Sequence, residues 1–116
     1  MNITGEIKFF LGDGDYAHLK FSESRTSFSI DIVSVPAAYR SKGIGSLLIG
    51  RVLLMADTMD KDIYLSARPI GAYTVERLSR LVSYYQRFGF SVIDEGLTMV
   101  SMKRIAKTAG AQHAVI

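Results

Sequence analysis

The chain of 116 residues contains no cysteine. That excludes a disulfide and a thiol nucleophile, and with them any mechanism that runs through a covalent thioenzyme. Long apolar runs are absent too, because Arg51 and Asp57 interrupt the most hydrophobic stretch well short of the roughly 18 residues a membrane span needs. The first residues carry no basic segment followed by an apolar core, so no signal peptide is expected and the cytoplasm is the default location. Only two histidines occur, His18 and His113, far apart and without a carboxylate-rich context, so no metal centre is expected. No Lys/Arg run exceeds two residues, and a formal charge of +3 suits an anionic ligand while pointing only weakly to nucleic acid.

What remains is a composition with 48% hydrophobic and 22% charged residues, that of a globular protein. The length implies one domain, taken as residues 1–105, with a tail over residues 106–116 whose small residues and lack of a clear period point to a frayed end or an oligomer contact. Residues Ile3 to Leu11 and Tyr16 to Phe21 flank a Gly12-Asp13-Gly14-Asp15 turn and form a hairpin. Thr26 to Val35 extends it to a three-strand meander, with Phe28, Ile30 and Ile32 on one face and Asp31, Val33 and Val35 on the other.

Ile44, Leu47, Leu48, Val52, Met55 and Met59 then fall at helical spacing, and the helix is expected to end near Asp57 to Asp60. Ile63 to Leu65 is a short buried strand, and Arg68-Pro69-Ile70-Gly71 a loop. Thr74 is placed to cap a second helix whose stripe is Leu78, Leu81, Val82, Tyr85 and Phe88, and Gly89 to end it. Ser91 to Ile93 and Thr98 to Lys103 close the order βββ-α-β-α-ββ, an α+β fold.

The chemistry concentrates in Arg40-Ser41-Lys42-Gly43-Ile44-Gly45, between the third strand and the first helix. Such a junction aims unpaired N–H groups and the positive end of a helix at one point, while glycines let an anion approach and Arg40 and Lys42 add charge. The spacing is not that of a P-loop, and Leu48 stands where a dinucleotide-binding G-x-G-x-x-G would need its third glycine.

Val35, Tyr39 and Arg40 to Gly45, followed by Leu47-Leu48, resemble motif A of the GCN5-related N-acetyltransferase (GNAT) superfamily. Tyr85-Gln86-Arg87-Phe88-Gly89-Phe90 resembles the end of its motif B helix, and the likeness covers roughly Ser29 to Arg104. It implies two helices packed on a twisted sheet splayed at a cofactor cleft, and transfer of the acetyl group of acetyl-CoA to an amine. Carried over, Val33 and Val35 contact pantetheine on a bulged strand, while Arg40, Ser41, Lys42, Gly43, Ile44, Gly45 and Ser46 surround the pyrophosphate. The opening between Val33 to Val35 and Ile63 to Leu65 holds the thioester.

Pro36 follows Val35 directly, where the family often has proline two residues after the valine, which leaves the bulge open by one residue. The helices that usually precede the central strand are missing, so the acceptor site is either open, suiting a macromolecular amine, or completed by a second subunit in a homodimer.

Acyl transfer needs a neutral amine, a donor for the developing oxyanion and a donor for the leaving thiolate. Tyr85 is the candidate for the thiolate, a backbone N–H near Val35 for the oxyanion, and Asp31 for the base, with Glu76 as runner-up. Tyr73, Tyr84 and Phe88 are candidates to line a substrate pocket. The rival readings are a coenzyme-binding module without catalysis, and a basic nucleic-acid-binding domain using Arg77, Arg80, Arg87, Lys103 and Arg104.

Overall fold

Three antiparallel strands, β1 (Ile3–Gly12), β2 (Asp15–Glu23) and β3 (Ser27–Ser34), begin the chain. The computed structural model describes residues 3–69 and 73–107. After a short 3-10 turn at Ala37–Tyr39 come α1 (Ile44–Thr58), β4 (Asp62–Ala67), α2 (Val75–Gln86), β5 (Ser91–Glu95) and β6 (Val100–Arg104). The element order is the one read from the sequence. One six-stranded sheet results, ordered β1-β2-β3-β4-β6-β5, in which β3 and β4 are the parallel pair.

Both helices pack on the same sheet face. Ala17, Leu19, Phe28, Ile30, Ile63, Leu65 and Met102 meet Ile44, Leu48, Ile49, Val52 and Ala56 of α1 and Leu78 of α2 in one buried cluster. The opposite face, carrying Lys20, Ser29, Tyr64, Ser66, Ser101 and Lys103, has no helix over it among the described residues. β1 turns into β2 through Asp13-Gly14 with no helix between them, and the described residues form two layers. No helix of the described residues is long and apolar enough to cross a membrane.

Thr74 caps α2 as its sequence position implies, its hydroxyl oxygen accepting from the Arg77 N–H at 3.0 Å. Gly89 adopts φ +95° beyond the helix end, a conformation only glycine takes without strain, and Phe90 is buried behind it. On α1 the apolar stripe is shifted from the expected one: Leu47 and Met59 are exposed, while Ile49 and Ala56 are buried.

The expected alternation in β3 fails at one residue. Lys20 pairs with Ile32 and Phe21 with Ile30, so Asp31 is an extra residue opposite β2, a β-bulge. The phase of the strand reverses there. Val33, opposite buried Leu19, joins the helix-covered face with Phe28 and Ile30, and Ile32 moves to the open face, 48% exposed. Asp31 therefore does not share a face with Val33: its carboxylate accepts a 2.7 Å hydrogen bond from Ser22, which sits on the open face.

β5 runs on to Glu95 and β6 begins at Val100, so the turn expected at Asp94 to Gly96 lies later, at residues 96–99. Of the expected loop at Arg68 to Gly71, residues 70–71 lie outside the described residues, as does the tail beyond Lys107.

Candidate functional site

Parallel pairing between β3 and β4 covers only Ser27 to Ile30 against Asp62 to Leu65. Beyond Ile30 and Leu65 the strands part, Asp31 to Ser34 on one side and Ser66 to Ala67 on the other, without hydrogen bonds between them. The opening thus starts at Ser66, past the Ile63 to Leu65 segment expected to border it. The bulge at Asp31 coincides with the divergence and turns the end of β3 away from β4.

A cleft of about 960 Å³ fills the gap, within the usual range for ligand sites. Asp31 to Val33 and Ser66 form its strand walls, Arg40 and Ser41 one end, and Arg77, Arg80, Tyr84 and Tyr85 of α2 the roof. A second cleft of about 500 Å³ lies on the uncovered sheet face, between Ser29, Tyr64, Ser101 and Met99. The two share Ile30, Asp31, Leu65, Ser66 and Arg68, so both reach the same gap. That gap is therefore open from both faces of the sheet.

The loop into α1 leaves backbone donors without side-chain partners at the helix start. Ser41 and Gly43 both take positive φ, +64° and +81°, and no side chain caps the helix start at Gly43. The N–H groups of its first turn are left for an external acceptor. Arg40 is held in place by a 3.0 Å bond from its Nε to the Val35 carbonyl, which leaves its terminal amino groups at the cleft. A Cβ on Gly45 meets nothing closer than 3.5 Å, so packing within the chain does not require glycine there.

No sequence-family profile and no curated protein sequence matches the chain. Solved structures do. The anti-CRISPR protein AcrVA5 is 25% identical with a TM-score of 0.64, over 85% of this chain and 97% of its own. An acyl-CoA N-acyltransferase from Pseudomonas aeruginosa is 27% identical with a TM-score of 0.68, over 87% and 68%. Nourseothricin acetyltransferase, 18% identical, shares the fold with a TM-score of 0.70 over 90% and 66%. The chain has the fold of the GCN5-related N-acetyltransferase (GNAT) superfamily.

Within this GNAT fold the expected site residues divide. Val33, Arg40, Ser41, Asp31 and Tyr85 line the cleft together. Val35 packs against the core beside Gly45, and the Ile44 side chain is buried, so only the Ile44 backbone is open to a ligand. Lys42 is exposed and, unlike its neighbour Ser41, is not part of the cleft wall. Ser46 is turned to α2, sharing a 2.9 Å hydrogen bond with Tyr84. Glu76 is exposed in the first turn of α2 and lies outside the cleft wall.

Burial, with the neighbouring Tyr84 as a smaller cause, pushes the Tyr85 hydroxyl up to about 12, so it is protonated throughout the physiological range. Of the proposed pocket aromatics, Tyr84 lines the cleft and Phe88 packs against Tyr84 and the core. The five basic residues suggested as a nucleic-acid patch do not form one surface. Arg104 is buried in a bidentate pair with Asp57, Lys103 lies on the open face beside Asp62, Arg87 lies over the Tyr84 ring, and Arg77 and Arg80 line the cleft. That cleft role of Arg77 and Arg80 was missed in the sequence, although their spacing with Leu81 and Tyr84 at positions 77, 80, 81 and 84 places all four on one helical face.

Proposed function

We propose that the protein is an acetyl-CoA-dependent N-acetyltransferase that passes the acetyl group directly to an amine of a protein or small molecule. One observation carries this: β3 and β4 part beside a helix start that has no side-chain cap, and Tyr85 lines the slot so made.

The residues present suit coenzyme A. Arg40, Ser41 and Lys42, with the backbone N–H groups of Gly43, Ile44, Gly45 and Ser46, would hold its pyrophosphate. The edge from Val33 to Val35, which β4 leaves open and where only the Val35 carbonyl is taken by Arg40, would hold its pantetheine amides, as a sheet edge holds a strand. When bound, acetyl-CoA supplies an activated acyl group with a thiolate as leaving group.

A tyrosine held near 12 is a weak acid beside a thiol of ordinary pKa about 8.5, so full proton transfer from Tyr85 to the thiolate runs uphill. Tyr85 acts instead as a hydrogen-bond donor that stabilises charge on the leaving sulfur. The backbone N–H near Val35 is the donor for the developing oxyanion. Asp31, exposed where the two clefts meet, attracts the cationic form of the amine and receives its proton through water.

A coenzyme-binding module without catalysis is the second reading. It is favoured by the exposure of Asp31 and its bond to Ser22, since a solvated carboxylate already engaged by a hydroxyl offers little general-base help. Acetyl-CoA should raise the melting temperature by mass action under both readings, and no shift at millimolar ligand removes both. Thiol release with a panel of amines separates them: turnover establishes the enzyme, while binding without release of thiol leaves the module.

A further inference from the structure

Tyr84 stands at a junction that the reaction as described does not use. Its hydroxyl shares a 2.9 Å hydrogen bond with Ser46 in the first turn of α1, and lies 3.5 Å from where a Gly45 Cβ would be. Its ring touches Tyr85 edge-on at 5.4 Å and Phe88 at 5.2 Å, with the Arg87 guanidinium 5.4 Å above it. Tyr85 in turn packs edge-on against Phe90, at 5.9 Å. One side chain therefore spans the anion end of the cleft and the ring that faces the reacting end.

We propose that Tyr84 is a positioning residue that couples occupancy of the anion cradle to the placement of Tyr85. This rests on the acetyl-CoA reading of the cleft. Ser46 has one hydroxyl proton and can give it either to Tyr84 or elsewhere. A diphosphate at the helix start accepts only, so it takes the Ser46 proton, and Tyr84 must then donate to Ser46. The chain Tyr84 to Ser46 to phosphate runs in a single direction, and each bond in it polarises the next. Fixing the Tyr84 hydroxyl fixes its ring, and the ring contact fixes one side of Tyr85.

The test is a double-mutant cycle on the full chain with acetyl-CoA as probe. Tyr84→Phe keeps every ring contact and removes only the hydroxyl, Ser46→Ala removes the other partner, and Ser46→Thr restores a hydroxyl there. Each single substitution should weaken acetyl-CoA binding about two- to tenfold, the range of one net hydrogen bond. The double variant should be no weaker than the worse single, and Ser46→Thr should recover most of the loss. Tyr84→Phe should also lower kcat at saturating acetyl-CoA, a change that lost affinity alone does not produce. Urea titration of the ligand-free proteins should show a smaller coupling between the two positions than the ligand-bound cycle does.

Losses that multiply in the double variant overturn the inference, as does wild-type affinity and kcat in Tyr84→Phe. If the wild-type protein binds no acetyl-CoA, the reading of the cleft itself falls and the inference with it. Binding by the wild type with an additive cycle removes the inference alone.

Discussion

Tyr85 and Gly45 carry the sharpest consequences at the scale of single residues. Tyr85→Phe keeps the ring contacts to Tyr84 and Phe90 and deletes the donor. It should lower kcat about 100- to 1000-fold, the effect of losing one aimed donor, while acetyl-CoA affinity changes less than about twofold. The titration of Tyr85 is shifted upward, from 10.0 to about 12. Its contribution to stability is therefore fully present below pH 10 and is lost as pH rises through the folded value. A pH–rate profile from pH 6 to 10 should have no inflection that disappears in Tyr85→Phe. Gly45 offers a separation of function, because an added Cβ there finds ordinary van der Waals space. Gly45→Ala should leave folding stability unchanged or raise it by about 0.5–1 kcal/mol, as alanine replaces glycine in a helix, yet cut acetyl-CoA affinity by blocking the approach to the backbone. Paired urea titration and calorimetric binding measure the two effects.

At the scale of elements, the ends of α1, α2 and β6 are tied by one buried cation. Arg104 donates to both carboxylate oxygens of Asp57 at 2.8 and 3.0 Å and, through Nε, to the Phe88 carbonyl at 3.0 Å. Those bonds from Arg104 hold the Asp57 carboxyl below its usual 3.8, against a smaller opposing effect of burial. A depressed carboxylate stabilises above its unfolded pKa and loses that stability as pH falls through the folded value. Urea midpoints should thus fall below about pH 4 in the wild type, and less so in Asp57→Asn, which at neutral pH should cost about 3–5 kcal/mol by leaving Arg104 buried and unpaired.

Much of this architecture was legible in the sequence, because alternation in β1 and β2 and the stripe of α2 each reflect contact with a single core. The two end signals of α2, Thr74 and Gly89, are local and appear as expected. The bulge was not legible. One extra residue leaves no mark on β3 itself, and only its register against β2 reveals that Val33 turns inward and Asp31 outward. For the same reason the sequence placed the opening too early, at Ile63 to Leu65. Where two strands separate is decided by pairing between distant segments. The Asp57 to Arg104 pair, 47 residues apart, was hidden likewise.

At the scale of the whole molecule, a net charge of +3 is spread unevenly, with Arg40, Arg68, Arg77 and Arg80 all on the wall of one cleft. Focused charge steers an anionic ligand and is screened by salt. Acetyl-CoA affinity should fall several-fold between 50 and 500 mM NaCl, by calorimetry, with part of that salt dependence lost in Arg40→Gln and the rest carried by the other arginines of the wall. The uncovered sheet face leaves the second cleft open along Tyr64 and Ser101.

The parting of β3 from β4 has a further consequence for the sheet as a structure. An ordinary open sheet has two edges, whereas this one has four, the added pair running inward from Ile30 and Leu65. An unpaired strand edge is the usual template for unwanted association between chains. Here the inner edges are recessed beneath α2 and flanked by arginines, where another sheet cannot reach but a narrow, strand-like anion can. A defect that would make most β-structures adhesive becomes, by its position, a selective slot.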